Sequence, residues 1–375
     1  MEKYRFTPVR TNSELREWLA LTGQLYTAPL FVPPLKQHIA KLFIQQTPYS
    51  KDIQMRFIAV RDQSNKVVAR TTVHTSRKFD EKQGRRVQLF GFTEFVDDFN
   101  VFQFLFDEIR SVGQKDGRDF LFGPGNLLPN QSGGVIQSGF KERGFMDSAY
   151  NHPYYPEFYR RYGFKEKFKS RTYVCRNLLG ESFHPETAFP FQPEKLKSER
   201  LEIHYGSQWR FSHSLHMMLA ILNKSYTRLD YYTPISWEEL RCQTDGLKYI
   251  LENKLFIFLT KGGRPIGFIL CVLDLSEFVI RIKGDLSFLN FFKLMRARKS
   301  LPREAILIIK GMLPGEEGKG YMTLLSQRLW CHLRQLGYHT LRSTWVEETN
   351  PASASQFLKM NGTVLNDLTF YEMAL

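Results

Sequence analysis

One order of predicted strands and helices occurs twice along this chain. In each half an opening strand leads through helical segments and a hairpin to a buried strand, a long helix, a short strand, a second helix and a final strand. Alternation of apolar and polar residues predicts strands at 67–75 and 265–273. Apolar residues three and four apart predict long helices at 100–112 and 320–336. We therefore expect an α/β (mixed α+β) fold of two domains, each a central mixed sheet flanked by helices, rather than one large sheet.

The segment 178–200 separates the two copies. It contains Pro185, Pro190 and Pro193, carries charges of both signs and follows neither the helical nor the strand period. These properties are typical of a linker. The sequence therefore predicts an N-terminal domain over residues 1–177 and a C-terminal domain over residues 201–375.

The composition fits folded domains with sizeable cores. Of the 375 residues, 42% are hydrophobic, which excludes a disordered or fibrous chain. The chain carries 52 basic and 38 acidic side chains, for a formal net charge of +14. This charge favours an acidic partner such as phosphate, CoA, nucleic acid, a membrane surface or an acidic carrier protein. The charge alone does not choose among these partners.

Nothing in the sequence predicts secretion or a membrane-spanning helix. The most apolar run, residues 268–273, is far shorter than the roughly 20 residues that a spanning helix requires. The first residues lack the apolar core of a secretory signal. The four cysteines lie far apart, so we expect neither a disulfide framework nor a zinc site, and no other metal: Cys175, Cys242, Cys271 and Cys331. A cytoplasmic protein is the expectation.

The most informative segment runs from Ile306 to Met322. A β-branched strand enters the glycine-rich turn Gly315-Glu316-Glu317-Gly318-Lys319-Gly320, which opens directly into an amphipathic helix. Glycines let a backbone approach a ligand closely, and the free N–H groups at a helix N-terminus suit a pyrophosphate. A helix-start turn without a ligand is the alternative, because many turns before helices contain two glycines.

This segment resembles the pyrophosphate loop of the GNAT superfamily of acyl-CoA-dependent N-acyltransferases. That loop reads Gln/Arg-x-x-Gly-x-Gly/Ala, and the match is Glu317-Gly318-Lys319-Gly320-Tyr321-Met322 after Leu313-Pro314. Glu317 and Met322 depart from the pattern, since the first adds negative charge near phosphates and the second replaces a small residue. The resemblance implies a set of residues that bind acetyl-CoA or a longer acyl-CoA: Leu313, Glu317, Gly318, Lys319, Gly320, Tyr321, Met322 and Asn350.

The N-terminal half resembles the same superfamily less completely. Residues 158–164 are similar to the late helix and following strand of that fold, and Tyr159 stands where the family often has a general acid. The junction 96–100 contains no glycine, so we expect no pyrophosphate there. In the C-terminal half Leu358 occupies the tyrosine position. The resemblance therefore implies a donor site in the C-terminal half, with a degenerate N-terminal half that helps to shape the acceptor pocket.

Acyl transfer from a thioester to an amine requires a base, a group that binds the oxyanion and, in some enzymes, an acid. Glu347 and Glu348 stand at the end of a strand beside the expected donor site, so one of them is the candidate base. Two surface carboxylates at a strand end are the alternative. Tyr226, Tyr231 and Tyr232 are candidate acids only if they reach across to the site. Asn350 either contacts the donor or caps the following helix.

The segment from Leu286 to Lys299 is apolar and aromatic on one side and increasingly basic toward its end. As a helix it would lie in a bilayer interface or against an acyl chain. A helix buried against its own domain is the alternative.

The layout of the whole chain, including Asn223-Lys224-Ser225-Tyr226 and Tyr232-Thr233-Pro234 before Glu238-Glu239, resembles a family of two-domain bacterial GNAT-like proteins. Bacterial ceramide synthases and other lipid N-acyltransferases look like relatives of that family. We therefore expect a bacterial N-acyltransferase that takes its acyl group from acyl-CoA or an acyl carrier protein. The acceptor amine is unidentified, and the resemblance implies an amino-lipid. The alternative is a catalytically decayed protein that binds lipid, CoA or an acidic partner. We do not expect nucleic acid as a partner, and any membrane contact is expected at the inner face, through Leu286 to Lys299.

Overall fold

The computed structural model describes residues 3–26, 29–180 and 184–375. The first half contains seven strands and five α-helices among these residues. Its strands are β1 (Tyr4–Pro8), β2 (Ile53–Asp62), β3 (Val67–Ser76), β4 (Val87–Phe95), β5 (Phe120–Gly123), β6 (Val135–Ile136) and β7 (Lys165–Cys175). Its helices are α1 (Asn12–Leu25), α2 (Lys36–Phe43), α3 (Arg77–Gln83), α4 (Phe99–Lys115) and α5 (Tyr154–Tyr162).

Two short helices, α6 (Pro185–Ala188) and α7 (Glu194–Ser198), lie in the connecting segment, of which residues 181–183 are outside the described residues. The second half then repeats the plan of the first. Its strands are β8 (Leu201–Tyr205), β9 (Phe256–Lys261), β10 (Arg264–Leu273), β11 (Glu304–Met312), β12 (Thr340–Ser343), β13 (Val346–Glu347) and β14 (Thr363–Ala374). Its helices are α8 (Phe211–Ser225), α9 (Trp237–Gln243), α10 (Ser276–Arg281), α11 (Phe288–Ala297), α12 (Tyr321–Gln335) and α13 (Pro351–Leu358).

The strands of both halves form one mixed sheet. Its order is β1-β2-β3-β4-β5-β14-β7-β12-β11-β10-β9-β8, with β6 beside β14 and β13 beside β7. The predicted fold class, a mixed sheet flanked by helices in each half, is confirmed. The two sheets are not separate, however, because they join at the centre of the molecule.

The join is an exchange of long strands between the halves. β14 comes from the C-terminal half but lies between β5 and β7, and β7 comes from the N-terminal half but lies between β14 and β12. Tyr371 of β14 therefore has Gly123 of β5 as its neighbour on one side and Glu166 of β7 on the other. Each half completes its sheet with a strand of the other. The boundary at 178–200 stays a prediction, and it separates two units that share these strands.

Each half contains one parallel strand pair that opens into a cleft. The pairing of β4 with β5 ends at Leu89 and Phe122, and the pairing of β11 with β12 ends at Leu307 and Ser343. Both β4 and β11 continue for several residues past these points. β11 and β12 separate soon after their last pair. The chain after β5 stays beside β4 for a few more residues, because the N–H of Gly125 donates to the carbonyl oxygen of Phe90 at 2.8 Å and the N–H of Phe92 donates to the side chain of Asn126 at 2.9 Å.

A β-bulge follows the last parallel pair in both halves. In β11 the neighbours of Leu270 and Cys271 are Ile309 and Leu307, which leaves Ile308 as the extra residue. The register of β3 and β4 shifts by one residue at the equivalent place, where Phe92 has a positive φ of 48°. Bulges redirect side chains and interrupt pairing, and they occur often beside active sites. The two clefts thus share a local distortion as well as a topology.

Several helical segments differ from the sequence prediction. The sequence predicts one helix over residues 237–250, whereas α9 ends at Gln243, because the chain turns through Gly246 at a φ of 83°. The chain also contains helices that the pattern did not indicate, among them α2 and α10. None of the helices in the described ranges has the length and apolar character needed to cross a membrane.

Candidate active site

The cleft beside β11 begins at Thr344. Its hydroxyl donates to the carbonyl oxygen of Ile308 at 2.9 Å, and its N–H donates to that of Leu307 at 3.2 Å. The chain then turns into β13, which pairs with β7 instead. The rest of β11 has no strand beside it on this side within the described part of the chain. Two carbonyl groups of this stretch, those of Lys310 and Met312, already accept from the hydroxyls of Tyr226 and Ser225, so an extended ligand along this edge would bond to its other backbone groups or displace these hydroxyls.

The glycine-rich loop follows the end of β11 and begins α12. Gly315, Gly318 and Gly320 have φ values of 86°, 76° and 85°, which side chains other than glycine rarely adopt. A methyl group added at any of the three would meet no heavy atom within 4 Å, so the loop borders open space. Gly320 offers no side-chain cap, which leaves the first N–H groups of α12 available to an external anion. The predicted loop therefore has the local geometry of an anion site.

The acidic residues of the loop pair with nearby cations. Glu316 lies 2.9 Å from Lys319 and 3.5 Å from Lys261, and Glu317 lies 3.3 Å from Arg228. The negative charge of Glu317, which departs from the family pattern, is thus partly neutralised. Lys319 itself is half-exposed and remains at the rim of the loop.

Three further residues that the resemblance implied for the donor site serve the core as well. Leu313 is buried, and its N–H already donates to the carbonyl oxygen of Ile266 at 2.8 Å. Tyr321 is buried and its hydroxyl bonds to Glu199, while Met322 packs against the core at the start of α12. Their roles in donor binding stay predictions, and the structure assigns their side chains first to packing.

Asn350 caps α13. Its side-chain oxygen accepts from the N–H of Ser353 at 3.1 Å, so of the two predicted alternatives the capping role is present in the structure. Leu358, at the position where the family has a tyrosine, is 57% exposed. No hydroxyl stands there to serve as an acid.

Glu347 and Glu348 differ sharply in their surroundings. Glu348 is exposed and forms an ion pair with Arg171 at 3.1 Å. Glu347 is half-buried, and this burial raises the pKa of its carboxyl above the usual range despite a hydrogen bond from Thr349. Its charge also raises the pKa of Tyr231, which lines the central cavity described below, although Glu347 itself is not among the residues of the cavity wall. The role of either residue as a base stays a prediction.

The hydroxyl of Tyr226 donates to the carbonyl oxygen of Lys310 at 2.7 Å, and the hydroxyl of Ser225 donates to that of Met312 at 2.8 Å. Two carbonyl groups of β11 are therefore occupied by the C-terminal end of α8. Burial raises the pKa of Tyr226 well above its ordinary value. Its predicted role as an acid would require the hydroxyl to leave Lys310, so this role stays a prediction.

Lys310 is a residue of the cleft that the sequence analysis missed. Successive side chains of a strand point to opposite faces, and Lys310 points away from Ile309 toward α13. There its ammonium group meets the side chain of Gln356 and, at 3.4 Å, the carbonyl oxygen of Ser353. Burial lowers the pKa of Lys310 to about 7. A single lysine inside the apolar run of β11 was the signal that could have identified it.

A cavity of about 800 Å³ lies between the two halves. Both clefts open into it. Its wall takes residues from each bulge and from the chain opposite each bulge: Phe92, Thr93, Glu94, Pro124 and Asn126 from the first half, and Ile308, Ile309, Thr344 and Trp345 from the second. One space therefore connects the bulge of β11 with the bulge of β4.

A buried polar cluster occupies the N-terminal end of this cavity. Glu94 accepts from the hydroxyls of Tyr26 at 2.5 Å and Tyr155 at 2.7 Å, and Arg70 lies 4.0 Å away. Burial raises the pKa of Glu94, and the positive charge of Arg70 opposes this rise. The sequence analysis missed this cluster, although one charged residue within each of two apolar strands was a visible sign.

A second carboxylate, Asp147, also lines the cavity. Its backbone has a positive φ of 64°, and burial raises the pKa of its carboxyl while the nearby His38 opposes the rise. The carboxylate makes no hydrogen bond or ion pair to the described residues. The cavity wall is thus largely apolar with a few acidic groups.

The N-terminal cleft has no phosphate-binding loop. Asp98 caps α4 by accepting from the N–H of Asn100 at 2.8 Å, so a carboxylate stands where an anion would bind. Phe95 stacks on Tyr155 with ring centroids 4.0 Å apart, and Tyr159 stacks on Tyr371 at 4.4 Å. Tyr159 is fully buried, with a pKa far above its ordinary value. The expectation that this half binds no pyrophosphate stays a prediction.

The segment from Leu286 to Lys299 contains the helix α11, three of whose apolar residues are exposed. Phe288 is 75% exposed, Leu289 71% and Phe292 54%. Leu294 is its buried residue, and Phe291 and Leu294 line the central cavity. The helix therefore covers the cavity with one face and presents aromatic side chains to the outside with the other.

Comparison with known proteins finds distant relatives over the whole chain. No protein-family model matches the sequence. The chain is 20% identical over 371 residues to protein YghO of Escherichia coli, covering 96% of this chain and 93% of that protein. It is 22% identical over 377 residues to a bacterial ceramide synthase of Caulobacter vibrioides, covering 98% and 97%.

Comparison with solved structures identifies the architecture. A tandem GNAT protein from the clavulanic acid biosynthesis pathway superposes with a TM-score of 0.60 at 12% identity, over 99% of this chain and 98% of that one. A GCN5-related N-acetyltransferase from Sphaerobacter thermophilus superposes with a TM-score of 0.53 at 9% identity, over 100% and 96%. Together with the paired clefts and the exchanged strands described above, these likenesses show that the chain has the tandem GNAT fold.

Proposed function

We propose that this chain is an N-acyltransferase that moves an acyl group from an acyl-CoA thioester to an amine. One arrangement carries the proposal: the glycine-rich loop and the bulge at Ile308 stand at the two ends of the open edge of β11. From Met312 to Ile308 this edge spans roughly 13 Å at the usual rise of an extended strand. A donor with its pyrophosphate at α12 would extend along the edge and bring its thioester to the bulge. The cavity beyond the bulge leaves room for an acyl chain and an acceptor.

Glu347 is the proposed base. The acceptor amine must lose a proton as its nitrogen attacks the thioester carbonyl, and a carboxylate with a raised pKa removes that proton more effectively at neutral pH. Burial raises the pKa of Glu347 in this way, and the charge of Glu347 raises the pKa of Tyr231 at the cavity wall. Backbone N–H groups at the bulge, where the ladder is interrupted, are the proposed partners of the oxyanion. The thiolate of CoA then leaves with the proton that the amine gave up.

The proposed acceptor is an amino-lipid. The 22% identity to a bacterial ceramide synthase supports this choice, and so does the apolar wall of the cavity beside α11. We also propose that α11 docks on the inner face of the membrane. Its exposed aromatic residues support this, and so does a basic groove of about 480 Å³ beside it, which is lined by Arg281, Lys283 and Lys293. Aromatic and basic residues together favour an anionic lipid surface.

Sedimentation with vesicles tests the membrane contact. We expect the protein to bind vesicles of phosphatidylcholine with 30% phosphatidylglycerol and to lose at least tenfold in affinity when Phe288, Leu289 and Phe292 are all changed to Ser. The matched control is Leu358→Ser, which removes an equally exposed apolar side chain from α13. Equal binding by the triple variant and the wild type would exclude α11 as the contact.

A non-catalytic protein that binds lipid, CoA or an acidic partner is the second candidate. The absence of a hydroxyl at Leu358 and the pairing of loop cations with Glu316 and Glu317 favour this alternative. Donor binding without any release of CoA in the presence of amines would support it over the acyltransferase.

Calorimetric titration with acetyl-CoA and palmitoyl-CoA tests the donor site. Gly320 and Gly337 stand at opposite ends of α12, both at positive φ and both with open space around them. Alanine at either position strains the backbone similarly, so Gly337→Ala controls for stability. We expect Gly320→Ala to weaken donor binding at least tenfold and Gly337→Ala to leave it within twofold. Equal affinities in the two variants would place the pyrophosphate elsewhere.

A further inference from the structure

One side of the central cavity is a continuous apolar wall. Leu270 and Val272 contribute alternate side chains of β10, so both point to the same face. Leu275 and Phe278 continue this wall past the end of the strand and into α10. All four are buried among protein atoms yet border the cavity. Three carboxylates line the cavity elsewhere: Glu94 and Asp147 belong to the other half of the chain, and Asp245, after α9, forms an ion pair with Lys41 at 3.2 Å. The wall itself is uncharged, and we call the space along it the channel.

The channel begins at the place proposed for the thioester. Leu270 is the sheet neighbour of Ile309, beside the bulge, and Val272 is the neighbour of Ile306. Val272 thus lies two residues, or roughly 7 Å, beyond the bulge along the sheet. The glycine-rich loop is at the other end of β11. A donor that extends from the loop to the bulge therefore points its acyl chain along β10 toward Leu275.

The channel ends beneath α11. Leu286, Phe291 and Leu294 line the cavity at this end, while Phe288 and Phe292 lie exposed on the outer side of the same helix. Its two ends are thus the acyl-transfer position and a surface with exposed aromatic residues. The uncharged wall between these ends suits a long hydrocarbon chain.

We infer that this channel holds the fatty acyl chain of the donor and that Val272 sets how long a chain it admits. The inference rests on the proposed function, because it takes the bulge as the position of the thioester. A short acyl group ends before Val272 and does not contact it. A long acyl group passes Val272 and buries its methylene groups against Leu275 and Phe278, and each buried methylene adds to the affinity.

Calorimetric titration with acetyl-CoA, octanoyl-CoA and palmitoyl-CoA, below their micelle concentrations, tests the inference. We expect wild-type protein to bind palmitoyl-CoA at least tenfold more tightly than acetyl-CoA. Val272→Phe should abolish this preference and leave acetyl-CoA affinity within twofold. Leu270→Phe, whose position is closer to the bulge, should also weaken the binding of octanoyl-CoA. Because an added ring can disturb a packed core, Val272→Ala provides the opposite change, and it should improve the affinity for stearoyl-CoA relative to palmitoyl-CoA.

The possible outcomes separate the channel from the proposed function. Unchanged palmitoyl-CoA affinity in Val272→Phe, with acetyl-CoA still bound, would overturn the channel and leave the donor site standing. A loss of dodecylamine binding in Val272→Phe without a change for palmitoyl-CoA would overturn it too, because the channel would then hold the tail of the acceptor. Failure of wild-type protein to bind any of the thioesters would overturn both proposals.

Discussion

Glu94 and Lys310 occupy the same position in the two halves of the molecule. Each is the second residue after the bulge in its long strand, and each reaches the helix that follows the next strand. Glu94 accepts from the hydroxyl of Tyr155 in α5, and Lys310 donates to the carbonyl oxygen of Ser353 in α13. An acidic side chain thus bonds to the neighbouring helix in the N-terminal half, and a basic side chain does so at the equivalent position in the C-terminal half. The N-terminal cleft holds a carboxylate that would repel a phosphate, whereas the C-terminal one holds a cation.

The burial of Lys310 predicts a pH-dependent change in stability. Its pKa is lowered to about 7 by burial, whereas a lysine in an unfolded chain titrates near 10.4. Below pH 7 both states keep the proton, so the folded state bears the full cost of burying an ammonium group. Between pH 7 and about pH 10 the folded state has released a proton that the unfolded state retains, so stability rises with pH.

The variant Lys310→Met lacks this charge. We therefore expect it to melt about 2–6 °C higher than the wild type at pH 6, with a difference that shrinks steadily by pH 9.5. Circular dichroism, recorded during thermal unfolding at the two pH values, measures this difference in melting temperature. A difference that is the same at both pH values would show that Lys310 is not buried as a cation.

The pair of Glu94 and Arg70 predicts a structural role for the N-terminal cleft. The variant Glu94→Gln leaves Arg70, which is 2% exposed, without its buried anionic partner. Loss of one member of a buried pair costs about 3 kcal/mol. We expect a clear drop in the unfolding midpoint with acetyl-CoA affinity within twofold of the wild type. Glu17→Gln is the control, because Glu17 forms an ion pair with Arg61 but is 51% exposed. A selective loss of donor affinity in Glu94→Gln would contradict the structural role.

Most elements of the fold could be predicted from the sequence, whereas the exchange of β7 and β14 could not. The alternation of apolar and polar residues in these two segments predicts strands. It does not predict which strand lies beside them, because any neighbouring strand that keeps the apolar face buried fits the same pattern. The order of the strands depends on contacts between residues more than 200 positions apart, such as Tyr371 and Glu166. Patterns within a short window carry no information about such pairs.

The candidate site likewise has a part that could be predicted from the sequence and a part that could not. The glycine-rich loop was predictable, because positive φ values at Gly318 and Gly320 depend on local sequence. The side chains of Glu94 and Arg70 meet only through the register of β3 and β4. Their pairing, like the cavity between the halves, arises from tertiary structure. Sequence analysis therefore located the proposed phosphate end of the donor site and missed much of the cavity wall.

The different surroundings of Glu347 and Glu348 predict different effects on catalysis. Glu347→Gln removes the proposed base, and we expect kcat to fall by about 10²–10³-fold. Glu348→Gln changes an exposed carboxylate that pairs with Arg171, so we expect less than a threefold change. Release of CoA from palmitoyl-CoA with dodecylamine as acceptor measures both. Burial raises the pKa of Glu347, so wild-type activity should increase with pH through a value above the usual range of a glutamate.

A matching loss of activity in both variants would contradict the assignment of Glu347, because it would point to a shared structural effect. Loss in Glu348→Gln alone would make the exposed carboxylate the base. Affinity for palmitoyl-CoA, measured in parallel, should be unchanged in both variants, since neither residue is proposed to bind the donor.

The exchange of strands predicts that the N-terminal half does not fold by itself. A fragment of residues 1–177 lacks β14, which is the neighbour of both β5 and β7. It also lacks Tyr371, which stacks on the buried Tyr159. We expect this fragment to show no cooperative thermal transition. A synthetic peptide of residues 363–375 should restore one when added in excess, because an added strand can complete an open sheet edge. Cooperative melting of the fragment alone would instead show that residues 1–177 form an independent domain and that β14 is an addition to a finished sheet.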